Sequence, residues 1–247
     1  MEFKNKRELN LFLKSLKMIG LGSQGVCYYN SKDKNVYKIF HQFFDKDDDI
    51  EYHVTYEEKI LLRFSNIKND TFVWPNDVIS VNGEVVGYKV PYIKARNLYK
   101  CNPLRVNLND LQKSVIVARK DLNIISEHHV LTYDMMYNIL YGNKFFVIDH
   151  DEYSYSDKDT SVIRKNNYEN FDMEIYYFLV DGFFQKFVNE NKMLNELYSD
   201  KKEDVLFFLK LFRNLLSEMV GKEIITLGEA SKYIDRKALI RKYERYL

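Results

Sequence analysis

Glycine is scarce in this chain, nine in 247 residues, yet Gly20, Gly22 and Gly25 fall within one short stretch, Gly20-Leu21-Gly22-Ser23-Gln24-Gly25-Val26. Without a Cβ, a backbone can approach a phosphate chain closely and turn its N–H groups toward it. A hairpin that needs glycines for its own geometry is the other reading of the same residues. A dinucleotide-binding turn of this spacing opens a helix, whereas here Val26, Cys27, Tyr28 and Tyr29 continue as a strand pattern. Further on, Lys38 sits in Val36-Tyr37-Lys38-Ile39-Phe40, where an ammonium among apolar neighbours needs a partner to offset its burial. It asks for an anion. Asp149 closes the apolar run Phe145-Phe146-Val147-Ile148, a place for a metal ligand or for a turn.

These groups need elements to hold them. Short runs rich in Val, Ile, Tyr and Phe predict strands at 18–20, 26–29 and 35–40, the last two joined by the polar turn 30–34. Strands at 77–81 and 84–92 flank Asn82-Gly83, a tight hairpin signal because both positions tolerate positive φ. A helix over 51–64 interrupts this sheet, and Trp74-Pro75 reads as packing. Leu108, Leu111, Val115, Ala118, Leu122 and Ile125 then recur at three and four residues, the stripe of a buried amphipathic helix. A second hairpin is predicted from 138–141 and 144–148 around Gly142-Asn143, and the chain beyond Tyr168 reads as helical, with stripes at 171–188 and 205–219 and a capping box at Thr226 and Glu229. The expectation is an α+β chain: a small antiparallel sheet lobe with one helix over residues 1–92, a hinge near 91–97, and a mainly helical lobe over 93–247.

The order of these features resembles the eukaryotic-like protein kinase superfamily, over roughly residues 16–156. In that family a glycine-rich loop and a third-strand lysine hold the phosphates of ATP, and a helix glutamate pairs with the lysine. The resemblance assigns those parts to Gly20, Gly22, Ser23, Gln24, Gly25 and Val26, to Lys38, and to Glu58, with Glu57 as the fallback. It makes Gly87-Tyr88-Lys89-Val90-Pro91-Tyr92-Ile93 the strand that runs into the hinge, with Val90 at the gatekeeper-like position and Tyr92 beside the adenine. Thr132-Tyr133-Asp134-Met135-Met136-Tyr137-Asn138 is similar to the catalytic loop and Val147-Ile148-Asp149-His150-Asp151 to the metal-binding segment. It implies Asp134 as the catalytic base, and Asn138 and Asp149 as ligands of Mg²⁺ or Mn²⁺.

The departures matter as much. Asp134 to Asn138 spans four positions where the family pattern spans five, and Thr132 and Tyr133 replace the usual His and Arg. The segment after Asp149 reads His150-Asp151-Glu152, without Phe-Gly and with no Ala-Pro-Glu following, which is more like the atypical and small-molecule branches such as aminoglycoside or choline kinases. Asp151 is a spare carboxylate, while His128 and His129 lack a third ligand spaced with them and read as local packing or surface. The expected activity is ATP- and Mg²⁺-dependent transfer to a protein Ser/Thr or small-molecule hydroxyl, the alternative being a pseudokinase that binds nucleotide or a partner protein without transfer.

Composition bounds the partners. Lys and Arg number 37 against 36 Asp and Glu, a net charge of +1, so neither nucleic acid nor an anionic membrane has a general electrostatic hold. The basic residues at 236–245 read as a solvated helix face. Two cysteines, Cys27 and Cys101, fit a reducing compartment, and neither an apolar leader nor a spanning run interrupts the chain, so a cytoplasmic location is expected.

Overall fold

The computed structural model describes residues 1–44, 57–180, 184–200 and 204–235. The predicted helix over 51–64 lies partly outside these residues, and the basic stretch 236–245 wholly so. Two compact units divide the chain: Met1–Lys68 with Val73–Lys94, and Asn69–Phe72 with the described residues from Ala95 on. Residues 69–72, inside the span read from sequence as the first lobe, thus belong to the second unit.

The first unit carries a six-stranded sheet in the order β1-β5-β6-β4-β3-β2, built from β1 (Glu2–Phe3), β2 (Lys17–Leu21), β3 (Gly25–Asn30), β4 (Asn35–Phe40), β5 (Asp77–Val81) and β6 (Glu84–Pro91). Five of these fall where the alternation placed them. Asn82 and Gly83 take φ of 52° and 79°, the pair of left-handed residues that a two-residue hairpin turn requires. The sheet is mixed, not antiparallel as expected, because β1 runs parallel to β5; two residues are too few to leave a periodic signal. The single expected helix is also corrected. Helix α1 (Lys6–Lys14) lies between β1 and β2, and α2 (His41–Phe44) and α3 (Glu58–Leu61) are one-turn pieces. Asn5 caps α1 by accepting from the Glu8 N–H at 3.0 Å while Glu8 returns to the Lys4 N–H at 2.9 Å. Leu9 and Leu13, one turn apart, then bury against Phe3, Tyr37, Ile39, Phe43, Ile79 and Val81 and seal one face of the sheet.

In the second unit, α4 (Leu108–Glu127) buries the whole predicted stripe, and Asn107 caps it through the N–H groups of Asn109 and Asp110. A short strand β7 (Arg96–Asn97) joins the hairpin of β9 (Ile139–Tyr141) and β10 (Phe145–Val147), while β8 (Val130–Leu131) pairs with β11 (Ser154–Tyr155). Phe72 bridges to Val147, and the Thr71 hydroxyl donates to Asp121 of α4 at 2.6 Å. Helix α5 (Thr160–Leu179) starts eight residues before Tyr168 and ends before the predicted stripe does; α6 (Gln185–Glu190), α7 (Lys192–Asp200) and α8 (Val205–Val220) follow. Arg119 of α4 pairs with Asp172 of α5, which also accepts from the Val205 N–H of α8, so one buried ion pair ties three helices. No helix among the described residues is long and apolar enough to cross a membrane.

The capping box forms where the sequence placed it. Glu229 accepts from the N–H groups of Thr226 and Ile225 and from Lys222 Nζ, at 2.9, 2.7 and 2.9 Å. The Lys222 contact first, then the two backbone donors, lower its carboxyl from 4.5 to about 2. A depressed carboxylate stabilises the fold fully above its unfolded value and loses that contribution as pH falls through the folded one. Glu229→Gln is therefore expected to narrow the stability difference between pH 5 and pH 2, measured by urea unfolding; equal acid sensitivity in both proteins would refute the assignment.

Candidate functional site

In the first unit the strand register decides which side chains share a face. Gly20 stands opposite Cys27, Cys27 opposite Lys38, and Lys38 opposite Tyr88, one row across four strands. Two residues along, Tyr29, Val36 and Val90 form the next row on the same face. Val26 is opposite Ile39, whose side chain lies in the cluster under α1. It therefore points away from Lys38, and Cys27 stands on the face where the resemblance expects Val26. At one end this face packs into a cluster of Phe40, Leu61, Val78 and Tyr88. Toward the other, Cys27, Tyr29, Val36 and Val90 stay half-buried, with the Tyr92 ring against Tyr29 at 4.2 Å. Lys38 is 6% exposed; its Nζ donates to Gln24 Oε1 at 2.9 Å and lies 5.4 Å from the Tyr88 ring centre.

The three glycines separate into two kinds. A Cβ on Gly25 would meet the Ile39 carbonyl oxygen at 2.3 Å, and one on Gly87 the Lys38 oxygen at 2.1 Å. These two are demanded by the close approach of β3 and β6 to β4. Gly20 and Gly22 are not: a Cβ there would find its nearest neighbours at 3.6 and 3.8 Å, ordinary contacts. Neither lies in the left-handed region, where a glycine would be preferred. The turn with Ser23 and Gln24 is closed by the Gly22 N–H on the Gly25 carbonyl, and His41 Nε2 reaches the Gly22 carbonyl oxygen at 2.9 Å.

The expected pair of Lys38 with Glu58 does not form. Glu58 is in the first turn of α3 with its side chain exposed, and among the described residues no ion pair joins it to Lys38. Glu57, the fallback, pairs with Lys59 at 2.7 Å.

In the second unit the loop that carries Asp134 is anchored from beneath. Thr132 is fully buried, and its N–H and hydroxyl both donate to Asn167 Oδ1 of α5, at 2.8 and 2.9 Å. The Asn167 amide nitrogen donates in turn to Ser126 Oγ and the Val130 carbonyl, at 2.9 and 2.8 Å. Asn167 is the positioning residue that the sequence did not reveal; a lone Asn in a polar half-helix carries no motif.

The chain then turns sharply. Asp134, Tyr137 and Asp149 all take left-handed φ, at 41°, 65° and 64°, a conformation that costs non-glycine residues energy and gathers at functional sites. The Asn138 side-chain nitrogen donates to the Asp134 carbonyl at 2.9 Å, which fixes the amide. The Ile148 N–H donates to the Asn138 carbonyl at 2.9 Å, so Asn138 and the residue before Asp149 are tied directly. Tyr153, fully buried, has its hydroxyl raised far above its ordinary value, first by burial and then by the charges of Asp149 and Asp134. Both carboxylates thus lie within electrostatic reach of one phenol.

Among the described residues no group of three or more His, Cys, Asp and Glu is placed to hold a metal ion. Asn138 and Asp149, the ligands expected from the resemblance, could offer at most two hard oxygen donors to Mg²⁺, an ion that keeps waters and substrate phosphates in its shell. His129 Nδ1 donates to the Ser156 carbonyl oxygen at 3.1 Å in the tautomer that carries its proton there, a local contact. No family model and no curated protein matches the chain.

Proposed function

We propose that the chain is an ATP- and Mg²⁺-dependent phosphotransferase with the two-lobed arrangement of the protein kinase-like superfamily. The observation that carries this reading is that Gly20 and Gly22 are glycines without a steric or conformational need in the fold. A phosphate chain approaching the backbone supplies the need. Beside them, the half-buried row of Cys27, Tyr29, Val36 and Val90 offers an apolar bed for a purine, and Lys38 a cation for its phosphates. Asn138 and Asp149 would hold Mg²⁺, which neutralises charge on the phosphates when bound. Asp134 accepts the proton of the acceptor hydroxyl as that oxygen bonds to the γ-phosphorus and the bond to the bridging oxygen breaks, releasing ADP. The acceptor is a protein Ser/Thr hydroxyl or a small-molecule alcohol.

The alternative is a pseudokinase that binds nucleotide or a partner protein without transfer.

Thermal unfolding with ATP and Mg²⁺ tests the shared claim, since a ligand at a hundred times its Kd stabilises the folded state by about 2.7 kcal/mol. Gly22→Ala is expected to leave the ligand-free midpoint unchanged and to shrink the ATP-induced shift. Gly25→Ala, by contrast, should lower the ligand-free midpoint itself, by about 1–3 kcal/mol of overpacking. No shift in wild type with millimolar ATP and either Mg²⁺ or Mn²⁺ rejects the nucleotide reading. A shift without transfer of labelled phosphate to any of a protein and metabolite panel selects the pseudokinase.

A further inference from the structure

We infer that Tyr99 and Glu174 are positioning residues for the 134–138 loop, holding by packing a turn that is one residue short. The inference rests on the phosphotransferase reading for its functional consequence. A loop of that length must bend hard, and it does so by placing both Asp134 and Tyr137 in the left-handed region. For a tyrosine this conformation is strained, and such strain persists only where the surroundings over-determine it.

Two contacts hold Tyr137. The Asn97 side-chain nitrogen donates to its carbonyl, and the Tyr99 ring packs against its ring at a tilt of 43°, 4.7 Å between centroids. Both come from one small rigid piece, since Asn97 Oδ1 caps the single 3-10 turn Leu98–Lys100 by accepting from the Tyr99 N–H at 3.0 Å. The Tyr99 hydroxyl then donates to Glu174 Oε2 at 2.5 Å. Glu174 is 4% exposed, a costly place for a carboxyl, and among the described residues Tyr99 is its hydrogen-bond partner. Burial raises its carboxyl above the ordinary value, the Tyr99 hydroxyl draws it back, and the charge of Asp134 raises it further. Glu174 therefore lies close enough to feel the candidate base.

The geometry has a simple logic. Asn167 and Glu174 are seven residues apart on α5, two turns and so nearly the same side of the helix. Asn167 fixes Thr132 at the start of the loop, and Glu174, through Tyr99, fixes Tyr137 at its end. One helix sets both ends of the turn that presents Asp134 and Asn138.

The test uses the full chain with Tyr99→Ala, Tyr99→Phe and Glu174→Gln. Amide hydrogen exchange is read at Asn138 and Ile148, whose N–H groups bond to the Met135 and Asn138 carbonyls, with Val115 and Leu122 in α4 as the reference. Tyr99→Ala is expected to speed exchange at Asn138 and Ile148 at least tenfold while the α4 amides hold. Tyr99→Phe, which keeps the ring, should fall between, and Glu174→Gln, which keeps an acceptor, should stay near wild type. In turnover of ATP with Mg²⁺, Tyr99→Ala should lower kcat at least tenfold and leave KM for ATP within twofold. Unchanged exchange at Asn138 and Ile148 in Tyr99→Ala overturns the clamp, as does an increase spread equally over α4. If wild type turns over no ATP while the loop exchange responds as stated, the clamp stands and the phosphotransferase reading fails.

Discussion

Asp149→Asn is expected to cut phosphate transfer about a thousandfold, ~4 kcal/mol of lost charge stabilisation, with almost no change in thermal stability. The choice of asparagine follows from the backbone. Asp149 takes φ of 64°, a conformation asparagine tolerates nearly as well as aspartate, whereas alanine would add strain of its own. The amide keeps the shape and the turn and removes the charge that would hold the cation. Asp134, at φ 41°, calls for the same substitution. Asp134→Asn should spare the ATP-induced thermal shift and lower kcat by about 10²–10⁴, the range for loss of a positioned base. Initial rates with labelled ATP on the identified acceptor decide it. Transfer by Asp149→Asn within threefold of wild type would remove Asp149 from the metal site, and the same result for Asp134→Asn would move the base to Asp151 or to the substrate.

The largest loss of stability is expected at a residue with no charge. Asn167→Leu should cost about 3 kcal/mol or more, because the fully buried amide serves four groups at once and each buried donor or acceptor left unmade costs about 1–3 kcal/mol. The leucine fills similar space, so the loss is one of hydrogen bonding and not of volume. Asn167→Asp keeps the acceptor toward Thr132 but turns a carboxylate toward the Val130 carbonyl, and should lose stability less at low pH, where the carboxyl can donate. Denaturant midpoints measure both; a Leu variant within about 0.5 kcal/mol of wild type, the usual range for surface changes, would show that the amide network is not what holds the loop.

Much of the fold was legible because period and punctuation agreed. The α4 stripe and the Asn82-Gly83 turn each repeat one physical instruction several times over, and both lie where the pattern set them. Helix α1 leaves a weaker signal, since Leu9, Phe12 and Leu13 carry the spacing of one helix face within a short, mostly polar stretch; the two residues of β1 could not announce themselves. Helix α5 was missed in its first half because its buried contacts there include a polar one, Asn167, which reads as surface until its partners are known. In the candidate site, residue types pointed to Lys38, Asp134, Asn138 and Asp149. What sequence lacks is register: it cannot say that Cys27 and not Val26 shares the row of Lys38, nor that the Glu58 side chain is exposed in the first turn of α3.

The second unit is not one uninterrupted stretch of gene. Asn69–Phe72 belongs to it, and those four residues give Asp121, a buried carboxylate on α4, its hydrogen bonds from the Asp70 N–H and the Thr71 hydroxyl, and give the Val147 N–H its acceptor. A fragment beginning at Ala95 would carry Asp121 into its core without those donors. Recombination that exchanged the helical part alone would break the unit that it meant to transplant. Any graft, deletion or circular permutation that respects the architecture therefore has to cut on both sides of residues 69–72.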